Sequence, residues 1–87
     1  GFQRLMDQEF SDEERDAIIA LVRAHPHALG IHELRTRQGG MRRFIQFHLD
    51  LDGNQPLHEA HAITEEIEES LRKAYPRTEI FIHQDPK

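Results

Sequence analysis

Eighty-seven residues make one small domain with room for a single core. With 37% hydrophobic and 31% charged residues the chain reads as globular, and sixteen acids against eleven bases, net −5, argue against a nucleic-acid binder, which needs a clustered basic surface. The absence of cysteine excludes disulfide scaffolds, zinc ribbons and CxxC chemistry.

The first ten residues, GFQRLMDQEF, show no period and read as a linker (1–10) leading from a longer protein into a domain over 11–87. Ser11 followed by Glu14 is a capping box, with acids at the positive end of the helix dipole. Ala17, Ile18, Leu21 and Val22 then recur at helical spacing until Pro26 stops the helix. The longest apolar run, Ala17 to Val22, is far short of the roughly 20 residues that span a bilayer. Leu29 to Gln38 reads as a strand of broken alternation, and Gly39-Gly40 signals a hairpin.

Arg43 to Leu51 alternates strictly. Ile45, Phe47, Leu49 and Leu51 fall on one face, Phe44, Gln46, His48 and Asp50 on the other. Asp52-Gly53-Asn54 turns the chain, and Pro56 suits the first turn of a second helix. Ala60, Ile63, Ile67, Leu71 and Ala74 form its apolar stripe, and Pro76 ends it. Glu79 to His83 is a final strand. The predicted fold is therefore α+β: an open αββαβ sandwich, ferredoxin-like, with two helices on a three-stranded sheet. So thin a sheet leaves an edge or face for a second copy to cover, which predicts a homodimer.

Seven histidines are the feature that points to chemistry. His32, His48 and His83 fall on the three different strands, and Asp85 follows His83 at the spacing that shares a strand face. Taken singly, a strand histidine is an ordinary surface residue. Three imidazoles and a carboxylate together are the composition of a zinc site. His58 and His61 are neighbours on the second helix, with Glu65 four residues beyond His61; the same spacing also suits a solvated helix edge. His25 and His27, in a loop beside Pro26, read as polar surface.

Three lookalikes fail. Asp50, Asp52 and Asn54 resemble a calcium loop, but Gln55 stands at its glycine position and His61 at its closing glutamate. Ser11 and Ser70 are the only serines, and neither sits beside a base. Arg35, Arg37, Arg42 and Arg43 surround the hairpin as solvated or carboxylate-paired side chains.

GIHELRTRQGG, RFIQFHLDLD and the closing IFIHQDP resemble the cytoplasmic C-terminal domain of cation diffusion facilitator transporters, closest to the bacterial zinc/ferrous-iron efflux group. The likeness runs from about Asp12 to Pro86. It implies a metallochaperone-like domain, not an enzyme, that follows six membrane helices on the cytoplasmic side of the bacterial inner membrane. It implies a homodimer exchanging metal for protons, with Zn(II) near the dimer interface stabilising the dimer and regulating the membrane part. It also implies two ions per chain held by His32, His48, His61, His83 and Asp85, with Asp85 bridging them or ligating one. Such ligands do not separate Zn(II) from Fe(II), Cd(II), Mn(II) or Co(II). Two alternatives stay open on the sequence: a structural dimerisation module with incidental histidines, and a small zinc hydrolase.

Overall fold

The computed structural model describes residues 8–87, in the order α1 (Asp12–Arg23), β1 (Gly30–Gly39), β2 (Arg42–Leu51), α2 (Leu57–Ala74) and β3 (Glu79–Pro86). The strands form one mixed sheet with β2 in the centre, antiparallel to β1 and parallel to β3. Both helices pack on the face that carries Ile45, Phe47, Leu49 and Leu51, all buried. This is the αββαβ sandwich that the periodicities predict.

The Ser11 hydroxyl accepts the Glu14 amide at 3.1 Å, so the capping box forms at α1. Ile18 and Val22, four apart, are fully buried, whereas Ala17 is exposed because it lies about 100° round the helix from Ile18. On α2, Ala60, Ile63, Ile67 and Leu71 are buried, while Ala74, the last helical residue, is exposed. Pro56 serves as N-cap rather than as a first-turn residue.

Most of the predicted linker, residues 1–7, lies outside the described residues. Its end belongs to the domain. Gln8 exchanges two backbone hydrogen bonds with Gln38, of 2.9 and 2.7 Å, and Phe10 is 3% exposed within the core. The buried Thr36 hydroxyl accepts the Phe10 amide at 3.1 Å, and the Arg43 guanidinium lies 4.4 Å from the Phe10 ring centre.

The broken alternation of β1 has a specific cause. Its register against β2 shifts between His32 and Arg35, where Glu33 adopts a left-handed φ of 54°. Ile31 packs on the core before this bulge; Leu34 and Thr36 face it afterwards. One inserted residue has reversed the phase, so His32 faces away from the core although it is an even number of residues from Thr36. Beyond β1, Gly40 takes a φ of 57° at the hairpin tip, a region that glycine enters without a Cβ penalty.

Candidate metal centre

The register of the sheet lines up the predicted ligands. His32 pairs with His48 and His48 with His83, so the three imidazoles occupy one rank across β1, β2 and β3. Two residues along each outer or central strand lies a second rank, in which Asp50 pairs with Gly30 on one side and Asp85 on the other. Residues two apart share a strand face, so both ranks stand on the face opposite Phe47 and Leu49. On β3 the orientation is held from behind: the Gln84 amide donates to Thr64 Oγ1 on α2 at 2.9 Å, and His83 and Asp85 on either side project the other way.

Asp85 is the hub. Its Oδ2 lies 3.1 Å from His32 Nε2 and 3.2 Å from His48 Nδ1, and its Oδ1 lies 3.4 Å from His83 Nε2. The His32 and His48 rings are 5.0 Å apart and the His48 and His83 rings 4.6 Å. Glu33 reaches the same cluster from the bulge, with Oε1 3.7 Å from His48 Nε2 and Oε2 3.9 Å from His32 Nε2. Asp50 Oδ1 is 3.2 Å from His32 Nδ1.

Burial works to raise the Asp85 pKa, but the hydrogen bond with His48 and the neighbouring His48, His83 and His32 outweigh it, leaving the carboxyl below its ordinary value. The group is thus kept as the carboxylate, the form in which it ligates a cation.

The donor set fits zinc. Two donors at about 2.0–2.1 Å from a tetrahedral ion stand roughly 3.3 Å from each other. Three overlapping groups have ligand atoms all within 4.8 Å: His32, Glu33 and His48; His48, His83 and Asp85; and His32, Asp50 and Asp85. Neutral imidazoles with carboxylates suit borderline divalent ions, and the two oxygens of Asp85 face different histidines as a bridging carboxylate would.

Four of the five predicted ligands, His32, His48, His83 and Asp85, therefore come together. His61 does not join them within the chain; it is largely exposed on α2 and pairs with Glu65 at 3.3 Å. Asp50 and Glu33 belong to the candidate groups although the sequence reading did not select them. The alternation of β2 already put Asp50 on the His48 face and could have flagged it. Glu33 carried no such signal, because regular alternation from His32 sends it to the opposite face. His25, set aside as loop surface, bonds Glu66 at 2.6 Å and so ties the α1 turn to α2. Arg42 pairs with Glu79 at 2.9 Å and Arg43 with Glu14 at 3.1 Å, as the carboxylate-paired hairpin reading has it.

A family model, ZT_dimer, described as cation efflux protein, cytoplasmic domain, matches residues 10–87. The cation-efflux pump FieF of Cronobacter sakazakii is 46% identical over 86 residues, which are 99% of this chain and 29% of that protein. Protein p34 of Rickettsia rickettsii is 45% identical over 86 residues, again 99% of this chain and 29% of the relative. The chain thus spans under a third of the length of these curated relatives. The structure of CzrB in its Zn form superposes with a TM-score of 0.82 at 37% identity, covering 94% of both chains. The C-terminal domain of MamM has the same ferredoxin-like, metallochaperone-like fold, with a TM-score of 0.78 at 17% identity over 87% of this chain and 98% of that one. The chain belongs to the cation efflux protein family and is its cytoplasmic domain.

Proposed function

We propose that this chain is the metal-sensing, dimer-forming part of a proton-coupled transporter that exports zinc or ferrous iron across the bacterial inner membrane. The observation that carries the reading is the rank of His32, His48 and His83 closed by Asp85. The cation-efflux pump at 46% identity and the Zn form of CzrB support it. The whole transporter's activity would reside in segments beyond this chain, among whose described residues no helix is long and apolar enough to cross a membrane. These relatives are transporter domains rather than enzymes, and the proposal assigns no catalytic residue.

Two Zn(II) ions per chain would be held by His32, His48, His83 and Asp85, with waters completing the shells. His61, which a single chain leaves outside the cluster, enters as a ligand donated by a second copy. Open shells of this kind suit reversible sensing. Each ion brings +2 to a chain of net −5 and so lowers the repulsion between two acidic copies. Metal favours one arrangement of the dimer only by its differential affinity for the alternatives.

Homodimerisation has support of its own. Phe44 and Phe81 pack edge to face, 6.4 Å apart, on the sheet face away from the helices, and Phe81 is 51% exposed. An exposed aromatic pair on an uncovered sheet suits a second copy. Isothermal titration of the metal-free chain with Zn(II) tests the sensor reading. Saturable uptake of two ions, lost in a His83→Ala/Asp85→Ala double variant, is the expected result; no uptake by the parent defeats it. Light scattering on Phe81→Glu tests the dimer separately, with a monomer expected.

A further inference from the structure

We infer that Asp50 is a positioning residue: it holds the His32 ring by Nδ1 and so presents the Nε2 lone pair towards Asp85. The inference deepens the metal-cluster reading and rests on it. Asp50 sits in the rank between Gly30 and Asp85, and its side chain is only 16% exposed. Gly30 makes that placement possible. A Cβ at Gly30 would stand 2.9 Å from Asp50 Oδ2, too close for the carboxylate to keep its place along β1. The Asp50 backbone is anchored to the same segment by its carbonyl, which accepts the Leu29 amide at 2.8 Å.

Asp50 Oδ1 is buried and has no well-aligned hydrogen-bond donor. A buried carboxylate oxygen is costly without one. Two donors are near: His32 Nδ1 at 3.2 Å and Lys87 Nζ at 3.7 Å, and the lysine side chain is half exposed. His32 is the nearer and the less exposed of the two, and so the better partner. A neutral imidazole has a single N–H. Asp50 at Nδ1 and Asp85 at Nε2, 3.1 Å away, compete for it; given to Asp50, the more buried carboxylate, it leaves the Nε2 lone pair for a cation that would be shared with Asp85. A carboxylate behind the imidazole in this way fixes ring tautomer and orientation and raises ligand basicity. Asp50 thus acts through His32.

The test uses the 87-residue chain and its Asp50→Ala, Asp50→Asn and Gly30→Ala variants. Long-range proton–nitrogen correlation spectra of the metal-free chain, at a pH where the imidazoles are neutral, report which His32 nitrogen carries the proton. The expected parent tautomer is Nδ1–H. Asp50→Ala and Gly30→Ala shift it towards Nε2–H, and Asp50→Asn, which still offers an acceptor, restores it in part. Titration with Zn(II) is expected to show affinity about 10- to 100-fold weaker in Asp50→Ala, with the number of ions unchanged. An unchanged His32 tautomer in Asp50→Ala overturns the inference. So does the loss of a whole ion per chain, which would make Asp50 a ligand itself. A parent that takes up no Zn(II) defeats the metal reading, whereas the tautomer in the metal-free chain decides the Asp50 contact independently.

Discussion

His48 and His83 occupy paired positions on the parallel strands β2 and β3, with their rings 4.6 Å apart. The backbone ladder holds them there, so their spacing is a property of the folded sheet and needs no ion to create it. The two are nevertheless unequal. His48 belongs to two of the candidate ligand groups and lies 27% exposed, while His83 belongs to one and is 67% exposed.

That inequality predicts different losses. His83→Ala removes one group and leaves His32, His48 and Asp85 in place, so one ion per chain is expected to remain. His48→Ala and Asp85→Ala each remove a donor shared by two of the three groups, so a larger loss of affinity than in His83→Ala is expected. Counting ions by calorimetric titration distinguishes the outcomes. Equal losses in His83→Ala and His48→Ala would refute the shared-donor arrangement.

Phe10 is the residue that makes the stretch before α1 part of the fold. The residue is 3% exposed, and its amide donates to the buried Thr36 hydroxyl. Phe10→Ala should lower stability by about 3–5 kcal/mol, since a buried aromatic is lost and its cavity is left behind. Thr36→Val, which leaves the Phe10 amide without an acceptor, should cost about 1–3 kcal/mol. Urea melts of the metal-free variants measure both.

Glu33 bears the strain of the bulge at φ 54°. A left-handed L-residue costs roughly 1–2 kcal/mol, against a smaller entropic cost for glycine. Glu33→Gly should therefore stabilise the metal-free chain by about 0.5–1 kcal/mol, and Glu33→Val should destabilise it by at least about 1 kcal/mol. Thermal melts without metal give the comparison. A stability order with valine at or above the parent would remove strain from the account.

The depressed Asp85 carboxyl links stability to pH. Its folded-state pKa lies below the unfolded value, so its contribution is complete above the ordinary carboxylate range. It is lost as pH falls from there through the folded pKa. Asp85→Asn should flatten this part of the acid limb of the metal-free stability curve while leaving the neutral-to-alkaline part nearly parallel to the parent. Denaturant midpoints between neutral pH and pH 3 would show it, and superimposable acid limbs would contradict it.

Much of this domain is written in local pattern. The capping box at Ser11, the stripe from Ala60 to Leu71 and the alternation from Ile45 to Leu51 each encode which face of an element meets the core. A period needs only neighbouring residues to be read. The same alternation put His48 and Asp50 away from the core, and HQD put His83 and Asp85 on one face. What tertiary structure decided were relations between distant segments. Periodicity alone does not say that β3 lies parallel to β2 in the register that sets His83 beside His48. Nor does it show that the Glu33 bulge turns His32 outward, or that Gly30 leaves room for the Asp50 carboxylate. Phe10 looked like linker because a single aromatic has no period, and it was buried only by the sheet, helix and guanidinium that close around it. Faces follow from neighbours along the chain; the ligand cluster follows from register, which pairing between strands determines.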